Sequence, residues 1–87
     1  MENQMRKFII SSETFSDYEM YISLYDISTI DDIINIMRND LIEKLSALKL
    51  TNLVKKINNT NFHIHSYTIE DILVSKSEEI FYICDHT

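Results

Sequence analysis

Residues 28–48 read STIDDIINIMRNDLIEKLSAL, and within them Ile30, Ile33, Ile34, Met37, Leu41, Leu45 and Leu48 recur at steps of three and four. That spacing lines all seven along one stripe of an α-helix. Ser28 or Thr29 stands just ahead of the stripe, where a hydroxyl can accept from amides that lack a partner in the first turn. Asp31 and Asp32 follow and complement the positive end of the helix dipole. So apolar a stripe has to be covered. Apolar-alternating segments lie on both sides of it, which predicts a small sheet wrapped across one helix.

Upstream, Phe8, Ile9 and Ile10 mark a short strand within residues 7–13, and residues 14–18 read as a turn. Residues 19–25 then alternate, with Met20, Ile22 and Leu24 on one face and Tyr21, Ser23 and Tyr25 on the other. Period two with β-favouring residues is a strand with one buried face, and the short connection makes the two segments a hairpin. Residues 1–6 read as a frayed polar lead, and 7–87 as a single domain. Downstream, residues 49–57 continue a helix or form a short strand; the reading preferred here ends the helix near Leu48 and places a strand within 50–56. Residues 58–61 (NNTN) are a turn cluster and 62–65 a short extended piece. Thr68 is set to cap a single helical turn from which Ile69, Ile72 and Val74 point inward. Residues 79–84 form the last strand, with Ile80 and Tyr82 alternating with Phe81 and Ile83. A strand apolar on both faces is normally central. In this order, a central last strand lies parallel to the first. The expected fold is α+β, with a mixed four- to five-strand sheet packed on one long helix, the β-grasp arrangement.

The chain has 87 residues, which suits one domain with a single core. Its 45% hydrophobic and 25% charged content is that of a globular protein rather than a disordered one. A formal charge of −6 argues against nucleic-acid binding, which needs basic surface to displace phosphate counterions, and against docking on anionic membrane. No apolar run approaches the roughly 20 residues of a membrane span. The expected partner is therefore a protein, with no nucleic acid and no membrane. The first seven residues carry no apolar signal segment, and Cys84 is the only cysteine, so an intracellular, cytoplasmic location is expected. Glycine and proline are absent. That excludes Gly-rich phosphate loops and dinucleotide fingerprints, and no cofactor is expected. It also forces left-handed turn positions onto other residues, with Asn58, Asn59, Asn61 and Asp17 as candidates. The wealth of Ile, Asn, Lys and Asp matches an AT-rich coding genome, of which a large DNA virus is one example.

The chain resembles ubiquitin and the ubiquitin-like domains. The resemblance rests on pattern along most of the chain: an N-terminal hairpin, then the helix opening Thr29-Ile30-Asp31, with Ile30, Ile33 and Met37 at the helix's buried positions and Met20, Ile22 and Leu24 at those of the second strand. It is most specific in Thr68-Ile69-Glu70-Asp71-Ile72-Leu73-Val74, followed by a short linker and the apolar run Ile80 to Cys84. The chain departs from the family in ending Cys84-Asp85-His86-Thr87, without the Gly-Gly tail that conjugation requires. The resemblance therefore implies an unconjugated binding module. It also places Phe15, Phe81 and Ile83 on the open face of the sheet as an apolar partner-binding surface, used for a protein partner or for a homodimer. In the competing arrangement, residues 49–62 fold over that face and bury it.

Other side chains with chemical potential have plainer roles. His63 and His65 project from one face of an extended piece, and Cys84 and His86 share their spacing, which together would suit zinc. The family arrangement separates those two segments, however, so no metal site is expected. Cys84 has no evident base or oxyanion donors to make it a nucleophile. Glu13, Asp17 and Glu19 read as solvated hairpin charge, and Asp71 as a residue bonding local backbone amides. Tyr21 and Tyr25 share the outer face of the second strand, either as part of an interface or as cross-strand packing. The sequence thus points to a non-enzymatic interaction module. The alternative is a small acidic α+β regulator or inhibitor of another family.

Overall fold

The computed structural model describes residues 4–15 and 18–85. Helix α1 (Ile30–Ala47) begins on a reciprocal cap. The Thr29 hydroxyl accepts from the Asp32 amide at 3.2 Å, and Asp32 Oδ2 accepts from the amides of Ser28 and Thr29 at 2.8 and 3.0 Å. The bonds from Ser28 and then Thr29 hold the Asp32 carboxyl below its ordinary range. Ile33, Ile34, Met37 and Leu41 are buried, and Ile30 and Leu45 are half-buried. The stripe is therefore shorter than the spacing predicts, because Leu48 lies past the helix end and is exposed.

Lys49 takes φ 60°, the left-handed turn that glycine usually supplies. With the chain so turned, Lys49 donates to the Ser46 carbonyl (3.0 Å) and Leu50 to that of Leu45 (2.9 Å), satisfying groups left open at the helix end. Ser66 is the other residue with positive φ among those described. The asparagines expected in this role do not fill it, and Asp17 lies outside the described residues. The strand expected within 50–56 is instead helix α2 (Thr51–Asn59). Leu53 and Val54 are half-buried and Ile57 is buried; with Leu50 they sit at helical spacing, and the segment packs along α1.

The sheet contains β1 (Met5–Ser11), β2 (Glu19–Ser23), β3 (His63–Ile64) and β4 (Ile80–Cys84), in the order β2-β1-β4-β3. β1 pairs antiparallel with β2 and parallel with β4, while β3 pairs antiparallel with β4. The fold is α+β with a four-strand mixed sheet and three helices. β1 begins two residues earlier than the sequence pattern suggests, and Arg6 is buried rather than frayed. β2 ends at Ser23, whose hydroxyl caps the 3-10 turn Leu24–Asp26. Helix α3 (Ile69–Val74) opens on Thr68 and Asp71, which repeat the reciprocal cap of α1. Ile72 is buried there and Ile69 half-buried, but Val74 is exposed rather than inward, as it closes the last turn.

One cluster forms the core. Phe8 and Ile10 of β1, Ile22 of β2 and Phe81 and Ile83 of β4 meet Ile33, Ile34, Met37 and Leu41 of α1, Ile57 of α2 and Ile72 of α3. Register sets that face: Phe8 lies beside Phe81 and Ile10 beside Ile83, with the two phenyl rings 5.7 Å apart.

Candidate interaction surface on the sheet

Side chains alternate across a strand, so the face that carries Phe8 and Phe81 to the core turns Lys7, Ile9, Ile80 and Tyr82 the other way. On β2 the same alternation places Glu19 and Tyr21 on that outer face, with Lys7 opposite Tyr21 and Ile9 opposite Glu19. Tyr21 is 59% exposed and Tyr82 50%. Lys7 stands among them: its ammonium lies 2.9 Å from the Glu19 carboxylate and 5.9 Å from the centre of the Tyr21 ring. The hydrogen bond to Glu19 raises the Lys7 pKa above its ordinary value. The outer face is thus a band of two tyrosines and two isoleucines around a neutralised ion pair. α1, α2 and α3 all contribute to the core on the opposite side.

The three residues expected to make the contact surface are elsewhere. Phe15, Phe81 and Ile83 are 7%, 1% and 0% exposed and belong to the core cluster. Phe81 and Ile83 face α1, so the expected assignment of β4 is wrong by one residue, and a one-residue slip turns every side chain to the other face. Phe15 packs 6.2 Å from Phe62, under a loop fastened by Ser12. The Ser12 hydroxyl accepts from the Phe15 amide at 3.2 Å and donates to Asp85 Oδ2 at 2.7 Å. Residues 49–62 do not lie over this face as a separate lid; Ile57 and Phe62 join the same single core. Tyr82 and Ile80 are the surface residues that the sequence reading missed. The tyrosine hydroxyl was the available signal, since a buried phenol needs a partner and an exposed one has water.

At the β3 edge, His63 stands opposite Cys84 in register. The expected separation of the histidine segment from the end of the last strand is therefore not found. His63 and His65 bring their Nε2 atoms to 2.7 Å. His86 lies outside the described residues, and among those described no group of three or more His, Cys, Asp or Glu is placed to hold a metal. Burial, with a smaller effect from Asp85, pushes the Cys84 thiol up from its ordinary pKa, which disfavours the thiolate a nucleophile needs.

Compared with protein-family models, curated proteins and solved structures, the chain has no significant match. No described helix is long and apolar enough to cross a membrane. A groove of about 430 Å³ is lined by Gln4, Arg6 and residues 74–78. Its one buried cation, Arg6, is committed to carbonyls and a hydroxyl at the end of α3.

Proposed function

We propose that this protein is a non-enzymatic interaction module with a ubiquitin-like β-grasp fold, and that it binds a protein partner through the outer face of its sheet. The parallel pairing of β1 with β4 and the single long helix α1 across the sheet support the β-grasp reading. The observation that carries the functional reading is the exposure of Tyr21 and Tyr82 beside Ile9 and Ile80 on a face opposite all three helices. Tyrosine is enriched at protein interfaces because one side chain offers both apolar area and a polar tip. This surface replaces Phe15, Phe81 and Ile83 as the contact.

The test is site-specific crosslinking. A photoreactive group at Tyr82 should capture a discrete partner in the native host extract, and one at Glu43, on the exposed side of α1, should not. Capture should be lost in Tyr21→Ser and survive about 0.5 M salt, which screens charge contacts but not apolar ones. Equal capture from both positions would refute the assignment.

A further inference from the structure

β2 is an edge strand, and two hydrogen bonds fix which of its groups point off the sheet. The Ile10 amide donates to the Tyr18 carbonyl at 3.0 Å, and the Leu24 amide donates to the Gln4 carbonyl at 2.8 Å. In an antiparallel ladder, residues that exchange bonds with the neighbour alternate with residues whose groups point away. Between those two bonds the register sets Phe8 against Met20 and Arg6 against Ile22. Met20 and Ile22 therefore bond inward to β1. The amides of Glu19, Tyr21 and Ser23 and the carbonyls of Glu19 and Tyr21 point outward along the rim, while the Ser23 carbonyl, at the N-cap of the 3-10 turn, accepts within that turn.

Rims of this kind are usually blunted by lysine, proline or a bulge, because an open row of donors and acceptors recruits another strand. β2 reads EMYIS and contains none of these. Its one charge, Glu19, is already paired with Lys7. The other edge, β3, is only two residues long.

We infer that β2 is the contact strand of a symmetric pair formed with a second copy of this chain, antiparallel and centred on Tyr21. Two-fold symmetry then sets Tyr21 against Tyr21 of the second copy and Glu19 against its Ser23. No like charges meet, because the two Glu19 side chains stand about 13 Å apart along the seam, beyond the screening length of about 8 Å at physiological salt. Four main-chain hydrogen bonds form: two between the tyrosines, and one from each Ser23 amide to the other copy's Glu19 carbonyl. On the helix side of the seam, half-buried Met20 meets Ile22 of the second copy. The contact uses the strand's rim, so it stands whether or not the outer face binds a partner. It is small and opposed by the −6 charge on each copy, so the pair is weak and tightens as salt is raised.

Sedimentation velocity on the full chain, from about 10 μM to about 1 mM, tests this directly. The unmodified protein should pass from monomer to dimer within that range. Ser23→Glu, which faces Glu19, should weaken the dimer about tenfold, and Ser23→Lys should tighten it about threefold. Both variants lose the Ser23 hydroxyl that accepts from the Tyr25 amide, so the difference between them isolates the charge. Tyr21→Pro should abolish pairing with the monomer still folded by circular dichroism, since that amide is not part of the ladder to β1. A protein monomeric at every concentration, or two Ser23 variants that shift the equilibrium in the same direction, would overturn the inference.

Discussion

Arg6 and Ser75, 69 positions apart, are joined by two hydrogen bonds: Nε to the Ser75 hydroxyl at 2.9 Å and Nη2 to the Ser75 carbonyl at 2.5 Å. Nε also reaches the Ile72 carbonyl at 3.3 Å, and Nη1 the Met5 carbonyl at 3.0 Å. Ile72 and Ser75 sit at the end of α3, where carbonyls lack helical partners and the dipole is negative. Arg38 does the same for α2, donating to the carbonyls of Ile57 and Thr60. Each short helix therefore ends on an arginine held by another element.

Removing the first latch should be costly. Arg6→Met is expected to destabilise the fold by about 2–4 kcal/mol, because it removes the charged donors to the Ser75 and Met5 carbonyls and to the Ser75 hydroxyl under partial burial. Arg6→Lys should recover less than half, since an ammonium cannot reproduce the planar fork. Urea denaturation gives the magnitude, and hydrogen exchange should show α3 opening first. A loss below about 0.5 kcal/mol would mean that α3 is held by the packing of Ile69 and Ile72.

The two faces of β4 should respond oppositely to substitution. Phe81→Asp puts a carboxylate into the core beside the rings of Phe8 and Tyr67, and is expected to cost more than about 4 kcal/mol and to abolish cooperative melting. Tyr82→Thr, one residue along, should stay within about 1 kcal/mol of the parent protein. Thermal melts of the pair decide whether the face assignment is right.

Acid stability should depend on Asp32. Its carboxyl is held below the ordinary 3.8 in the folded chain, through the Ser28 and Thr29 amides. A depressed carboxyl contributes stability above its unfolded pKa, and that contribution is lost as pH falls through the folded value. Asp32→Asn should therefore flatten the stability curve below about pH 4 and leave its slope near pH 7 unchanged. An unaltered acid limb would assign the sensitivity to other carboxylates.

Cys84 should be slow to alkylate. Burial keeps the thiol protonated, so iodoacetamide at pH 8 should react well below the rate of a free thiol and approach that rate in urea. Fast reaction in the folded state would show that Cys84 is open to solvent.

The parts of this fold readable from sequence are those fixed by local chemistry. The stripe of α1 from Ile30 to Leu45 and a hydroxyl cap ahead of α1 and at Thr68 need only near neighbours and were readable; the structure chooses Thr29 over Ser28 as the cap and adds the reciprocal bonds to Asp32 and Asp71. The side of β4 was marked only weakly, by the Tyr82 hydroxyl, because Ile80-Phe81-Tyr82-Ile83 is apolar in both parities and the parallel register with Phe8 and Ile10 makes the choice. α2 was missed although Leu50, Leu53, Val54 and Ile57 fall at helical spacing: a segment of nine residues is too short for its own pattern to fix it, and packing along α1 holds it. The meeting of His63 with Cys84 depends on which edge a two-residue strand joins, which no local pattern records. The contact surface moved with β4, from Phe81 and Ile83 to Ile80 and Tyr82.

The parallel seam between β1 and β4 also sets the order of events at the ribosome. Phe8 is made 73 residues ahead of its flanking neighbour Phe81. During synthesis the early hairpin waits with its inner edge bare, and closing so long a loop is slow compared with winding a helix. The nascent chain is thus most exposed to mispairing in the interval before residues 80–84 emerge.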